Sequence, residues 1–299
     1  MARIRVAEMH GDNWNIYHVL DSERIGDRSL REHLMARGIS WERATKENMD
    51  GADLLFFKGI IDLPPHPRRL FRSLKAEVMK RVLNKPFITL IGEPREHCRL
   101  SYLFSDREGT LCVAPDKELT RIFIPIDWRE PHVEGWEQRK GHCCWIGRPM
   151  PDRVRAAREL VNNGVELDIY SKQPWPLPCW KGFAIDDYQT SLGYKYRIVF
   201  ENYPTHGYHS EKLFLSLRSG CVTFYRGDPR MVMPELRHLF VPYSLRKVIE
   251  RDFDEKAMLR DVATFMRSDA WKTYSYEDFI NTVIEKIYQR LDERERKHA

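Results

Sequence analysis

Compact apolar runs alternate with amphipathic stretches along the first half of the chain. Strands are predicted over residues 4–8, 15–20, 53–57, 86–91, 111–114 and 121–126. Apolar residues at helical spacing predict helices over residues 22–37 and 69–83, and Gly38 is a stop signal after the first helix. Because strands and helices alternate, this half is expected to form a parallel sheet.

The alternation resumes after residues 128–140, a stretch without clear periodicity that we interpret as a linker. Further strands are predicted over residues 143–147, 165–170, 197–200, 222–225 and 240–242, and helices over residues 152–162, 254–266 and 276–293. The predicted division is an N-terminal domain over residues 1–135, a second domain over 141–275, and a C-terminal helix over 276–299 that packs back on the first. The predicted fold class is α/β, with two Rossmann-like domains facing each other across a cleft.

One stretch concentrates polar side chains beside a predicted strand end. The apolar strand at residues 197–200 runs into a polar loop at residues 201–209. Ser210 is a predicted helix N-cap, and Glu211 would lie in the first helical turn, where an acidic group is favoured. Gly220 ends that helix before the next strand. Ligands of open α/β sheets bind at the carboxyl ends of strands, so this stretch predicts a ligand edge.

Charge and composition narrow the classes of partner. The chain has 299 residues, of which 42% are hydrophobic and 31% charged, with a net charge of +5. The mean hydropathy is −0.56 and the pI about 8.8. A mildly basic surface is one interpretation, and a basic cleft for a phosphorylated ligand or a peripheral contact with an anionic membrane is the other. Because no Arg/Lys block is long enough to indicate nucleic acid alone, a nucleic-acid partner is not predicted.

Neither a targeting segment nor a metal motif is predicted. The first eight residues lack the apolar core of a signal peptide, no apolar run approaches a membrane span, and the six cysteines form no C-x-x-C pair, so we expect a cytoplasmic protein with reduced thiols. The His-Cys-Cys run at residues 142–144 fits no zinc spacing. The Asp-Phe-Asp run at residues 252–254 resembles a metal-binding D-x-D, but Asp254 fits a helix N-cap better, so no metal is assigned.

Four groups of residues resemble the signature of the α-(1,3)-fucosyltransferases, glycosyltransferase family ten. They are Tyr-Lys-Tyr at 194–196, Phe-Glu-Asn at 200–202, Tyr-His-Ser-Glu-Lys-Leu at 208–213 and Gly-Cys-Val at 220–222. The resemblance implies a GT-B-like fold, a metal-independent inverting reaction, GDP-fucose as donor substrate with no bound cofactor, and a glycan acceptor. The likeness covers the second half of the chain, and the first half only through architecture and Glu93.

The preceding segment is also similar to the family pattern. A strand and turn at residues 145–149 lead into a helix that carries Arg153 near its start. The chain departs from the pattern at residues 147–148, where members often carry Ser-Asn, and at residues 171–172, where they often carry glycine. Both departures touch the nucleotide pocket that the resemblance implies, so they bear on the identity of the donor.

Sugar transfer from a nucleotide donor needs charge balance on the leaving diphosphate. Arg153 and Lys212 suit that role, since arginine offers a bidentate fork and lysine a point charge, and Arg155 and Arg158 are the alternatives to Arg153 in register. Glu211 would accept hydrogen bonds from ribose or sugar hydroxyls; its alternative role is a helix N-terminal charge.

The remaining candidates are the donor contacts Glu201, Asn202 and Tyr208, and a general base. Glu201 and Asn202 end the strand at the ligand edge, while Tyr208 would pack against the donor or in the core. Glu93 follows an apolar strand, where partial desolvation would raise its pKa toward working pH, and Glu96 competes with it. Trp128, Trp136, Trp175 and Trp180 could stack on sugars or serve in packing.

The predicted function is therefore an inverting transfer of fucose from GDP-fucose to a hydroxyl of a glycan, as in polysaccharide biosynthesis. One alternative keeps the fold and mechanism but changes the nucleotide-sugar donor. The other alternative is a non-catalytic module that binds a glycan or a nucleotide. Acceptor, linkage and oligomeric state are not predicted.

Overall fold

The computed structural model describes two compact units of the chain. Described residues are 3–9, 16, 20–21, 24–25, 27–58, 85–91, 98, 103, 109–112, 120–121, 132–202, 210–227 and 236–298. The first unit comprises residues 1–127 with 273–299, and the second comprises residues 128–272. The C-terminal helix therefore belongs to the unit formed by the first part of the chain.

The first unit is built on a six-stranded parallel sheet with the order β4-β1-β5-β6-β7-β8. Its strands are β1 (Ile4–Glu8), β4 (Ile39–Arg43), β5 (Leu54–Lys58), β6 (Phe87–Ile91), β7 (Thr110–Cys112) and β8 (Thr120–Arg121), with a separate hairpin of β2 (Arg24–Ile25) and β3 (Arg28–Ser29). The helices of this unit whose bounds the structure describes are α1 (Leu30–Ala36), α2 (Lys46–Met49) and the long C-terminal α9 (Tyr276–His298). The central strand β5 is apolar on both faces, as expected for a buried parallel strand.

The predicted helix at residues 22–37 is wrong in its first turns. A capping box fixes the true start, because the Ser29 hydroxyl accepts from the Glu32 backbone N–H and the Glu32 carboxylate accepts from the Ser29 N–H. Arg24 and Ile25 pair with Ser29 and Arg28 as the short hairpin instead. The predicted stop is confirmed, since Gly38 follows the helix with φ of +72°.

The second unit is built on a five-stranded parallel sheet with the order β10-β9-β11-β12-β13. Its strands are β9 (Gly141–Ile146), β10 (Leu167–Tyr170), β11 (Tyr194–Phe200), β12 (Val222–Arg226) and β13 (Val241–Pro242). Its helices are α3 (Pro151–Asn162), α4 (Asp187–Ser191), α5 (Glu211–Arg218), α6 (Leu245–Glu250), α7 (Glu255–Phe265) and α8 (Asp269–Lys272). Strand β11 lies at the centre of this sheet.

Part of the predicted linker is ordered structure of the second unit. Trp136 starts a 3-10 turn, is buried, and donates its indole N–H to the Lys195 carbonyl at 2.8 Å. The Arg139 guanidinium donates to the carbonyls of Tyr194 and Ser219, each at 2.8 Å. These contacts join residues 136–139 to the start of β11 and to the end of α5.

The core of the second unit holds the carboxyl ends of its central strands in place. Trp145 and Phe200, on neighbouring strands, pack with ring centroids 4.4 Å apart, and both are almost fully buried. Gly220 has φ of +65°, and an added Cβ would lie 2.1 Å from the His132 carbonyl oxygen, so glycine is required where α5 turns into β12.

The predicted α/β fold class is confirmed by these two parallel sheets with their helices. The predicted helix at residues 69–83, Tyr208 and both candidate bases, Glu93 and Glu96, lie outside the described residues. In the described part of the chain, no helix has the length and apolar character needed to span a bilayer.

Candidate functional site

Arg153 lies in the first turn of α3 and reaches the carboxyl end of the central strand β11. Its Nη2 donates to the Phe200 carbonyl at 3.1 Å and to the Asn202 side-chain oxygen at 3.0 Å. The side chain is buried, and Gly147 makes room for it, because a Cβ there would lie 3.2 Å from Arg153 Nη1. Within the described residues, Nη1 and Nε make no hydrogen bond, so these donors remain for a ligand.

Positive charge is concentrated around Arg153. Burial lowers the pKa of its guanidinium, the carboxylates Asp152 and Glu201 oppose that shift, and the neighbouring charges of Arg226 and Arg148 add to it. Arg226 stacks on the Phe200 ring, with its guanidinium carbon 4.0 Å from the ring centroid, and pairs with Asp152. Although burial acts against it, the Arg226 hydrogen bond and charge hold the pKa of Asp152 below its ordinary value.

Glu201 follows β11 directly and is completely buried at its side chain. One oxygen, Oε1, accepts from the Ser210 backbone N–H at 2.8 Å and from the Tyr225 hydroxyl at 3.0 Å. The other, Oε2, accepts from the Ser210 hydroxyl at 2.6 Å and lies 3.7 Å from Lys212 Nζ. A buried carboxylate with this number of donors is fully compensated.

Lys212 lies in the first turn of α5, beside the same carboxylate. Its ammonium donates to the Ser210 hydroxyl at 2.8 Å and to Glu211 Oε1 at 3.3 Å. Ser210 is the N-cap of α5, as the sequence predicts, and its hydroxyl accepts from the Lys212 N–H. Glu211 is the more exposed partner, with 41% of its side chain accessible against 24% for Lys212.

The structure brings together five of the seven predicted site residues at the carboxyl end of the second unit's sheet. They are Arg153, Glu201, Asn202, Glu211 and Lys212. Neither Tyr208 nor Glu93 belongs to the described residues. The exposed Arg155 and Arg158 are two and five residues further along α3 than the buried Arg153, so Arg153 is the arginine of this helix that bonds the end of β11.

The predicted tryptophans could either stack on sugars or serve in packing. The indoles of Trp136 and Trp175 are buried, and Trp175 donates its N–H to the Gly147 carbonyl at 2.9 Å, so both serve the structure of the unit. Trp180 has 36% of its surface exposed.

The Asp254 side chain accepts from the Ala257 N–H at 2.9 Å, which confirms its interpretation as an N-cap. The described part of the chain contains no group of three or more metal-ligating side chains placed to hold an ion.

Sequence reasoning missed Tyr225, Arg226 and Asp152. Tyr225 and Arg226 end β12, the neighbour of β11, and the register pairs Phe200 with Arg226. The signal that could have found them is the shared edge: in a parallel sheet, residues that end adjacent strands lie side by side. Asp152 carried only the weak signal of an acidic residue in a first helical turn.

This arrangement suits an anionic ligand. A buried arginine with unused donors, a second guanidinium and a helix N-terminus converge on one edge of a parallel sheet. Such groups balance the charge of phosphates, and the Glu211 carboxylate beside them can accept hydrogen bonds from hydroxyl groups.

The chain has a GT-B-like fold, with two α/β units that each contain a parallel sheet. The structure is similar to the crystal structure of an α1,3-fucosyltransferase, with a TM-score of 0.57 and 12% identity over 97% of this chain and 90% of that chain. An α1,3-fucosyltransferase structure with GDP-fucose gives a TM-score of 0.51 and 10% identity, covering 97% and 90%. Anabaena Alr3699/HepE in complex with UDP and glucose gives 0.60 and 8%, covering 96% of this chain and 100% of that chain.

These likenesses establish the fold. By sequence, no family profile matches the chain, and no curated protein matches it. Activity and donor therefore have to be argued from the residues of the site.

Proposed function

We propose that the chain is a glycosyltransferase that transfers fucose from GDP-fucose to a hydroxyl group of a glycan. The observation that carries this proposal is the convergence of Arg153 and Lys212 on the end of β11 and the start of α5. That position is where an open parallel sheet binds its ligands. Lys212 belongs to one of the sequence groups that resemble the α-(1,3)-fucosyltransferases, and Arg153 lies in the preceding segment that is also similar to the family pattern.

In this function, the edge of the second unit's sheet binds the nucleoside diphosphate. The unused Nε and Nη1 donors of Arg153 bind separate phosphate oxygens of the diphosphate, and the start of α5 adds backbone N–H groups and Lys212. As the bond to the sugar breaks, negative charge develops on the leaving phosphate, and these cations stabilise it. Glu211 accepts hydrogen bonds from hydroxyl groups of the donor, while Asn202 orients Arg153.

The acceptor hydroxyl needs a base that takes its proton, and we assign that role to Glu93. Its carboxylate removes the proton of the acceptor hydroxyl as that oxygen attacks the anomeric carbon. Attack from the side opposite the leaving group inverts the anomeric configuration in one displacement. Glu96 is the competing base, so both positions need substitution.

A different nucleotide-sugar donor is the second candidate. One similar structure contains UDP and glucose, and another GDP-fucose, so the shared fold accommodates both kinds of ligand in those proteins. The residues at 147–148 and 171–172, which depart from the fucosyltransferase pattern, follow β9 and β10 at the same edge of the sheet. If the donor differs from GDP-fucose, residues 147–148 and 171–172 are the positions that we expect to determine which nucleotide sugar is bound.

A donor panel tests the proposal. GDP-fucose, GDP-mannose, UDP-glucose and UDP-galactose are each incubated with the protein, and release of the nucleoside diphosphate is measured. GDP-fucose is expected to be turned over fastest, and Glu93→Gln to lower that rate by about a hundredfold or more, with Glu96→Gln as the matched variant. Turnover of UDP-sugars alone would replace the donor, and binding without turnover of any donor would indicate a non-catalytic module.

A further inference from the structure

The Glu201 carboxylate makes its hydrogen bonds with groups inside the protein. Its side chain is fully buried and takes part in three hydrogen bonds, from the Ser210 N–H, the Ser210 hydroxyl and the Tyr225 hydroxyl. Lys212 Nζ adds a positive charge at 3.7 Å. A carboxylate with these partners offers little to a ligand, although it stands at the carboxyl end of the central strand.

Those contacts define where α5 begins. Glu201 directly follows β11 and Ser210 caps α5, so the two hydrogen bonds between them join residues nine positions apart. The Ser210 hydroxyl in turn accepts from both the backbone N–H and the ammonium of Lys212, at 3.4 and 2.8 Å. A single carboxylate therefore fixes the helix start and the ammonium beside it.

Tyr225 reaches this carboxylate because the residue two positions later is glycine. A Cβ at Gly227 would lie 2.4 Å from the Tyr225 hydroxyl oxygen and 2.6 Å from two of its ring carbons. Any larger residue would displace the ring, because real Cβ atoms do not approach so closely. The end of β12 therefore places the Tyr225 hydroxyl within hydrogen-bond distance of the Glu201 carboxylate.

We infer that Glu201 is a positioning residue, which together with Tyr225 and Ser210 holds the start of α5 and the Lys212 ammonium in the geometry that binds the donor diphosphate. The inference rests on the proposed function, since it assumes that Lys212 and the start of α5 contact the donor. Neither Tyr225 nor Gly227 touches the donor in this account. They act through Glu201.

Two matched hydroxyl deletions test the inference. Tyr225→Phe removes one hydrogen bond to Glu201, whereas Tyr243→Phe removes a buried hydroxyl that has no hydrogen-bond partner in the described part of the chain. We expect Tyr225→Phe to raise the KM for the donor and the Kd for GDP about tenfold, because a hydrogen bond to a charged group is lost. The melting temperature should fall, since the lost hydrogen bond is buried, but the KM for the acceptor should stay close to wild type. Tyr243→Phe should change neither KM nor Kd.

Substitution of Glu201 and Gly227 provides the second measurement. Glu201→Gln keeps an acceptor oxygen and should bind GDP better than Glu201→Ala, while Gly227→Ala should weaken GDP binding as Tyr225→Phe does. If wild type binds GDP and Tyr225→Phe binds it equally well, the positioning role is overturned. If wild type binds neither GDP nor any nucleotide sugar, it is the proposed function that fails.

Discussion

At the scale of single residues, one buried arginine distinguishes this edge from an ordinary strand end. Arg153 donates from Nη2 to the Asn202 side chain and the Phe200 carbonyl, which leaves Nη1 and Nε as donors for a ligand. Burying a guanidinium costs free energy unless charges or hydrogen bonds compensate it. An anionic ligand would supply that compensation.

Arg153→Lys is expected to raise the KM for the nucleotide-sugar donor at least tenfold. A lysine ammonium cannot bond both Asn202 and a phosphate with the planar fork that arginine offers. Steady-state kinetics with the donor varied would measure the change. Arg158→Lys, on the exposed face of the same helix, is the matched control and should leave the KM unchanged; equal effects of the two substitutions would contradict the assignment.

His142 carries a pH dependence of stability. Burial lowers its pKa, with Arg251 acting in the same direction against Glu166 and Glu255. Because the unfolded chain then binds a proton more readily than the folded one, this residue makes the folded state less stable as pH falls below its unfolded pKa of about 6.5.

His142→Phe should therefore flatten the fall in the free energy of unfolding between pH 7 and about pH 5. Urea denaturation at a series of pH values measures the two slopes. The ring packs 4.9 Å from Tyr196, so phenylalanine retains the aromatic contact. A variant slope equal to that of wild type would show that His142 does not contribute.

At the scale of elements, the turn from α5 into β12 depends on a glycine. Gly220→Ala combines left-handed backbone strain of about 1–2 kcal/mol with the clash against the His132 carbonyl. Gly164→Ala is the control, because Gly164 has φ of +79° but no atom within 4 Å of an added Cβ. Chemical denaturation should show the first variant destabilised by clearly more than the second. Equal losses would mean that the packing against His132 is not required.

Most strands of the second unit are predicted from the sequence, because a compact apolar run is typical of a strand buried on both faces of a parallel sheet. Sequence reasoning misplaces the start of α1, where a local capping box at Ser29 and Glu32 outweighs a longer stretch of helical spacing. It also misses the short helices α4 and α6, whose few residues carry too little periodicity.

For the candidate site, sequence reasoning predicts Arg153, Glu201, Asn202, Glu211 and Lys212 through the family-like groups and the strand-end rule, and the structure places these residues at one edge of the sheet. Sequence reasoning does not find the contact of Tyr225 with Glu201, since hydrogen bonding between residues 24 apart depends on the register of β11 and β12. Residue order alone does not fix that register. For the same reason the internal use of the Glu201 carboxylate is visible only in three dimensions.

At the scale of the whole molecule, the C-terminal helix returns to the first unit. Tyr288 donates its hydroxyl to the Arg37 carbonyl at 2.6 Å, and Arg290 lies 5.8 Å from the Phe87 ring centroid. The apolar face of the helix is buried at Phe279, Ile280, Val283, Ile284 and Ile287. Residues 276–298 therefore complete a unit whose sheet is formed by the first part of the chain.

Deleting residues 276–299 should destabilise the first unit selectively. The deletion removes the core contacts that the helix makes with β6 and exposes the apolar surface that the helix covers, while β9, β11 and β12 belong to the other unit. Hydrogen exchange should show lost protection in residues 4–8, 54–58 and 87–91, with the second unit's strands still protected. Deletion of residues 296–299 is the control, and loss of protection throughout both units would contradict the division.

We expect a nucleoside diphosphate to bind at the carboxyl edge of the second unit's sheet. Hydrogen exchange of the full chain with and without GDP tests it directly. Protection by GDP is expected in residues 147–153, 200–202 and 210–213, and Arg153→Ala should abolish it while Arg158→Ala leaves it intact. No protection by GDP, or protection confined to residues 3–58 of the first unit, would contradict the account.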